Sequence, residues 1–390
     1  MTENGRIVIV GGGPAGLSTA RAYREAGGRG KVTILAAEDT PPYRRPPLTK
    51  EYLRGEISRD ELPMQPPGWF EKNEVELRLS TEATSLDPDR QVVEAGGEEL
   101  PYDACVLSTG SEPVRLPVPG GDDPEIMVMR TVENSIRLQQ GVEPGSRAIV
   151  IGSGFIGCEA AASLSMRGTE VAMVSLEDVP QKARLGEETG ARISSWLRDY
   201  GVETHFGATV EEVRRGDGGF TVDIDGGDEV SGASLLFGVG VKPRTGLAEA
   251  AGLEVEDGGI VTDSSMRASA PGVFAVGDIS FAYNEAAGRR LHVEHWGEAL
   301  NHGQVAGAVI AGDGAAWEVA PGFWSTIGDK TLKYVAWGDG WDEARFVDDG
   351  EGGFTVYHGL EGVCVGVLAH GRDKDYEEGR KMVETGARLS

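Results

Sequence analysis

Two stretches of the chain share one design. RIVIVGGGPAGLSTA (residues 6–20) and RAIVIGSGFIGCEAAASL (147–164) each begin with Arg and a run of strand-forming residues. Each run ends in GxGxxG, at Gly11, Gly13 and Gly16, and again at Gly152, Gly154 and Gly157. A helix of small residues follows, ending near Gly27 and Gly168, and then a second apolar strand, KVTIL (31–35) and EVAMV (170–174). The spacing predicts β–turn–α–β units whose glycines allow a sharp turn, a close ligand approach and tight helix–strand packing. A helix start at such a turn offers unpaired N–H groups to a phosphate, so Pro14, Ala15, Phe155 and Ile156 belong to the two cradles. An acidic residue near the end of the second strand normally takes the ribose hydroxyls. Glu38 fills that position in the first unit, with Asp39 as its less favoured neighbour. One such motif is weak evidence; two in matching contexts predict two dinucleotide sites, one for a bound flavin and one for an exchangeable nicotinamide.

The rest of the sequence narrows what such a chain does. A formal charge of −26 argues against nucleic-acid binding and against docking on an anionic membrane. No window of about 18 apolar residues is present, and MTENGRIVIV lacks the pattern of a secretory signal, so a cytoplasmic protein is expected. Cys105, Cys158 and Cys364 are far apart and form no CxxC or CxxxxC pair, which excludes an internal dithiol relay. Cys158 starts a helix, where a thiol can be acidified, although a small core residue is the preferred reading. His292, His295 and His302 have no carboxylate or thiolate pattern beside them, so no metal site is expected.

A third feature is APGVFAVGDIS (270–280), a strand ending in Gly277–Asp278, followed after a loop by the helix-like EHWGEALNHGQVAGAVIAG (294–312). With the two glycine motifs, it resembles the FAD-dependent pyridine nucleotide oxidoreductases. YRRPPLTKEYLRGE (43–56) is similar to the PYxRPPLSKxYL segment of the ferredoxin and rubredoxin reductases that feed oxygenases, a group that includes apoptosis-inducing factor. LRLSTEATSLDP (77–88), MRTVENS (129–135) and PGFWSTIGDKTLKY (321–334) extend the likeness over nearly the whole chain.

The resemblance implies an α/β fold: two Rossmann-like dinucleotide-binding domains, as in glutathione reductase, plus a C-terminal α+β domain. An FAD domain would be discontinuous, about 1–112 and 238–312. LSTGSEPVRLPVPG, with Thr109 and Gly110, would form the first crossover, and LLFGVGVKPRTG, with Gly240, the return. The nicotinamide domain would occupy 113–237, containing a β-meander at GFTVDIDGGDEVSGASLL, and residues 313–390 the last domain.

For the site, the resemblance implies that Asp278 holds the ribityl chain. Arg45, Lys50, Ala83 and Arg130 would lie on FAD, with Trp296 and Trp324 close to its ring system. Glu159 would pair with Lys50 beside the flavin N5, positioning the nicotinamide without acting as an acid or base. There are departures. Ser175 stands where NADH-preferring members place an acid, Glu177 follows two residues later, and Lys182 and Arg184 could meet a 2′-phosphate, so NADH and NADPH both remain open. Arg44 replaces the usual Asp, and FWSTIG drifts from the family's FWSDQ.

The expected activity is NAD(P)H:ferredoxin or rubredoxin reduction, with FAD as cofactor, NADH or NADPH as cosubstrate, and a [2Fe–2S] ferredoxin or a rubredoxin as partner. The chain would be a monomer or homodimer, and Arg289, Arg290, Lys330 and Lys333 are candidates for a docking patch. An oxidase or a quinone- or monodehydroascorbate-type reductase is the rival enzyme reading. A redox-sensing signalling flavoprotein is the rival outside catalysis.

Overall fold

The computed structural model describes residues 5–338 and 340–389. The first glycine motif begins a five-stranded parallel sheet in the order Val273–Ala275, Ala104–Leu107, Arg6–Val10, Lys31–Leu35, Val75–Arg78. Its central strands are apolar almost throughout because both faces are covered: Ile7, Ile9 and Ile34 lie under helices, and Val8, Val10 and Leu35 pack with Leu86, Val93 and Ala95. Ile9 pairs with Ile34 on one side and Val106 on the other, and is fully buried. Helix Pro14–Glu25 lies on this sheet and against helix Trp296–Ala311. Gly303 and Gly307 let those helices touch: a Cβ on either would lie 2.4 Å from a backbone oxygen, of Ala15 or Thr19.

The second glycine motif builds another parallel sheet of five, in the order Glu203–Phe206, Glu170–Ser175, Arg147–Ile151, Ser234–Phe237, Met127–Val128. The chain leaves the first sheet through strand Ser111–Pro113 and comes back through Val241–Pro243, and these two pair antiparallel. The expected meander is an antiparallel three-stranded sheet, Val210–Gly216, Gly219–Ile224 and Glu229–Gly232. A second such sheet, Ala83–Asp87, Val92–Ala95 and Glu98–Pro101, carries Ala83.

The C-terminal segment is α+β. Five antiparallel strands run in the order Gly322–Ile327, Lys330–Ala336, Val363–His370, Phe354–Leu360, Glu343–Asp348, and helix Asp373–Thr385 packs on them. This sheet seats on the second unit: Trp196 packs on Phe354 with centroids 6.0 Å apart, and Phe155 on Phe323 at 4.7 Å. The loop expected between Asp278 and the following helix is instead a hairpin, Ser280–Asn284 with Arg289–His292. Among the described residues, no helix is long and apolar enough to cross a membrane.

Candidate active site

The first cradle opens at the end of strand Arg6–Val10. Gly11 has φ +127°, and a Cβ there would lie 2.1 Å from the Ser108 carbonyl oxygen, so only glycine makes this turn. Gly16 packs helix on strand, since its Cβ would fall 2.3 Å from the Gly11 oxygen. Gly13 is different: a Cβ there meets nothing, because the residue faces a cleft of about 430 Å³. Gly13 also caps helix Pro14–Glu25 without any side-chain hydrogen bond, which leaves the first N–H groups for a ligand. Gly11, Pro14, Ala15, Glu38, Arg45 and Ala83 line the same cleft, as do Thr109, Gly110, Arg130, Gly277 and Asp278.

Charge inside the cleft is arranged in two clusters. At one, Arg45 donates from Nη2 to Glu38 Oε1 (2.5 Å) and from Nη1 to the Tyr43 hydroxyl (2.9 Å) and the Arg130 carbonyl (2.6 Å). Tyr43 in turn donates to Glu38 Oε2 at 2.6 Å. Burial, the largest influence, raises the Tyr43 phenol and keeps it a donor. At the other, Asp278 Oδ2 accepts from Arg130 Nη2 and Ser111 Oγ, each at 2.6 Å. Burial works against the Asp278 charge, yet Arg130 and Ser111 hold the carboxyl below its ordinary range.

The histidines grip this turn from behind. His292 Nε2 lies 2.8 Å from the Asp278 carbonyl oxygen, and His302 Nδ1 accepts from Gly277 N at 3.3 Å. Burial drives His302 down to about 3, so it stays neutral and able to accept. Sequence reasoning had no role for these histidines beyond excluding a metal. Among the described residues, no group of His, Cys, Asp or Glu could hold a metal ion.

Lys50 and Glu159 meet where the two units join. Lys50 Nζ is 2.8 Å from Glu159 Oε2, and both side chains are buried. Glu159 and Ser163 are one turn apart on helix Phe155–Met166, so both face the segment that carries Lys50. Ser163 Oγ donates to the Thr49 carbonyl at 2.7 Å, and Thr49 Oγ1 donates to Glu159 Oε2 at 2.5 Å. The other carboxylate oxygen accepts from Ser325 Oγ (2.8 Å) and Thr326 N (3.2 Å). Four donors thus compensate a buried carboxylate that would be costly alone. Ser325 belongs to the FWSTIG segment, which shares in the family likeness but drifts from FWSDQ, and to which the sequence assigns no role for its serine. Trp296 opens its helix at partial burial, while Trp324, on strand Gly322–Ile327, is 49% exposed.

The second cradle repeats the turn. Gly152 has φ +102°, with its would-be Cβ 2.4 Å from the Gly238 oxygen, and a Cβ on Gly157 would lie 2.0 Å from the Gly152 oxygen. Gly154 caps helix Phe155–Met166, again without a side-chain hydrogen bond. Gly240 lies on the return crossover and its carbonyl accepts from Val114 N. The cradle's rim is unlike the first. Ile156 is 41% exposed and Leu176 72% exposed. Gln181, at φ +59°, extends its amide to 3.4 Å from the Ser153 carbonyl.

The candidates for the second ribose are already engaged. Ser175 is buried, its hydroxyl 2.7 Å from that of Ser153. The Glu177 carboxylate accepts from Gln181 N and Ala183 N. Lys182 is held by Asp178 at 3.0 Å and Glu187 at 3.7 Å. The Arg184 carbonyl accepts from Trp341 Nε1. All three cysteines are buried free thiols, and burial raises Cys158, so its place at a helix start does not acidify it.

The donor set of the first cleft fits FAD: bare backbone and free N–H groups for phosphates, Glu38 at the ribose end, and an ionised Asp278 for hydroxyls. Residues 5–303 match the pyridine nucleotide-disulphide oxidoreductase family. Rhodocoxin reductase of Rhodococcus erythropolis is 29% identical, covering 97% of this chain and 89% of that protein. The ferredoxin–NAD(+) reductase component of the anthranilate 1,2-dioxygenase system of Burkholderia cepacia is 31% identical, covering 98% and 94%. The covalent putidaredoxin reductase–putidaredoxin complex holds a chain of the same fold, with TM-score 0.93, 27% identity and coverage of 98% and 94%. This chain belongs to the pyridine nucleotide-disulphide oxidoreductase family and is an oxidoreductase that uses FAD and a nicotinamide dinucleotide.

Proposed function

We propose that the chain is an NADH-dependent reductase of a small iron–sulfur protein, a [2Fe–2S] ferredoxin or a rubredoxin, that serves an oxygenase. The observation that carries this reading is the buried Lys50–Glu159 pair joining the two cradles, in a chain with no paired thiols among its described residues. On this reading, 1–112 and 238–312 bind FAD, 113–237 bind the nicotinamide dinucleotide, and 313–390 face the partner. The names of the relatives support the same partner class.

Bound FAD supplies the chemistry, accepting a hydride and returning electrons singly. Glycines 11 and 13 and the helix start behind them hold its pyrophosphate, and Asp278 its ribityl hydroxyls. Lys50 and Glu159 would position the nicotinamide against the flavin, so most of the acceleration would be positioning. Glycines 152, 154 and 157 hold the cosubstrate's phosphates. Its 2′ end meets Ser175, an exposed Leu176, the occupied Glu177 and a lysine clamped between two carboxylates. At this rim the carboxylates of Glu177, Asp178 and Glu187 outnumber the cations Lys182 and Arg184, so a 2′-phosphate meets net negative charge, which favours NADH over NADPH.

Anaerobic stopped-flow spectroscopy tests the assignment. NADH should bleach the flavin band faster than NADPH at equal concentration, and added [2Fe–2S] ferredoxin should restore it. If neither a ferredoxin nor a rubredoxin reoxidises the protein faster than oxygen or a quinone does, the acceptor assignment fails.

A further inference from the structure

Three arginines line the first cleft, and two of them are each paired with a carboxylate inside it. Arg45 is held by Glu38, Tyr43 and the Arg130 carbonyl. Arg130 is held by Asp278. The third is Arg244, on the return crossover just past strand Val241–Pro243. Its backbone is pinned: the N–H donates to the Gly110 carbonyl at 2.8 Å, and its carbonyl accepts from Thr109 Oγ1 at 2.8 Å. Its guanidinium is only loosely committed. Among the described residues its ion-pair partner is Glu112, 3.6 Å away, and the two side chains are 51% and 55% exposed.

That placement matters because of what the cleft must hold. A pyrophosphate is doubly charged, the chain carries a formal charge of −26, and the first turn of helix Pro14–Glu25 contains no basic residue. Backbone N–H groups can orient the phosphates but add no full positive charge. Thr109 and Gly110 lie one and two residues beyond Ser108, whose hydroxyl donates to the Gly11 carbonyl at 3.1 Å. The arginine anchored on Thr109 and Gly110 is therefore tied to the glycine turn itself.

Resting on the FAD reading above, we propose that Arg244 adds a further cation to the cofactor's pyrophosphate, exchanging its loose pairing with Glu112 for the phosphate oxygens. Guanidinium–phosphate pairs are short and bidentate, and outcompete a half-solvated carboxylate 3.6 Å away.

The test is the dissociation constant for FAD, measured by flavin fluorescence on the full chain at several salt concentrations, with riboflavin as a phosphate-free control. Arg244→Gln should weaken FAD binding about ten- to a hundred-fold and flatten its salt dependence, with riboflavin unaffected. Arg244→Lys should recover part of the loss. Glu112→Gln removes the competitor and should tighten FAD binding several-fold. If the parent protein binds FAD and Arg244→Gln binds it equally well with the same salt slope, the proposal is overturned. Should Arg244→Gln fail to fold by circular dichroism, Glu112→Gln decides: tighter binding supports the proposal, and unchanged or weaker binding overturns it. A parent chain that binds no FAD would instead sink the cofactor reading.

Discussion

The two glycine turns are near copies, yet their surroundings are opposite. Gly11 and Gly152 share positive φ angles and the same backbone collision for any side chain. Both helices start without a side-chain cap. Over the first turn the chain folds residues from four distant places, Arg45, Ser111, Arg130 and Asp278, linked by ion pairs and buried hydrogen bonds. Around the second lie exposed Ile156 and Leu176 and the amide of Gln181. On the proposed reading the turn selects a phosphate, and what is built over it selects whether the ligand stays. A roofed cradle suits a resident cofactor and an open one a cosubstrate that must leave each cycle.

Substitution at the turns makes the largest break in that comparison. Gly11→Ala should yield colourless protein with no flavin band. Gly152→Ala should stay yellow but need at least about tenfold more NADH for half-maximal bleaching. If both variants lose the flavin, the division of labour is wrong.

The joint between the cradles comes next. Glu159→Ala strands Lys50 in a buried site and should cost about 3–5 kcal/mol in urea-unfolding free energy. The double variant with Lys50→Met should recover much of it. A Glu159→Ala loss under about 1 kcal/mol would mean that the pair is not the buried joint described here.

A smaller effect belongs to the first cradle's backing helix. Glu298, in the first turn of helix Trp296–Ala311, is buried and accepts from Trp317 Nε1 at 2.9 Å and Asn301 Nδ2 at 3.0 Å. Burial pushes its carboxyl up to about 7, above the value it has in the unfolded chain. The folded protein therefore holds this proton more tightly, and Glu298's contribution to stability is lost as pH rises from about 4.5 to 7. Glu298→Gln should remove that part of the pH slope of the melting temperature. An unchanged slope would assign it elsewhere.

The smallest change is at the open rim. Leu176→Arg places a cation where the 2′ end is expected and should lower the KM for NADPH by a few-fold while leaving the flavin spectrum untouched. No change in the NADPH to NADH ratio would put the ribose away from Leu176.

Much of this was legible because it is local. The glycine motifs, the strands that follow them and helix Trp296–Ala311 each advertise themselves within about 20 residues, through turn residues and apolar runs. Lys50 and Glu159 were paired by resemblance alone, since no periodicity links positions 109 apart. Ser325, donating to the same carboxylate from 166 residues away, left no such trace, nor did His292 and His302 as supports of the Gly277 turn. The hairpin at Ser280–His292 reads as loop because its two short strands are bounded by polar residues, Ser280 and Asn284 in one and Arg289, Arg290 and His292 in the other. Long-range polar contacts are set by the tertiary fold, and sequence pattern reports them only through short motifs.

The four donors on Glu159 come from residues 49–50 and 325–326, on either side of the segment that carries it. A chimera that grafts a foreign nicotinamide module into this scaffold must therefore bring three sequence fragments together or leave an ammonium group without a counterion. Cosubstrate preference is thus better altered at the rim loop than by swapping whole modules.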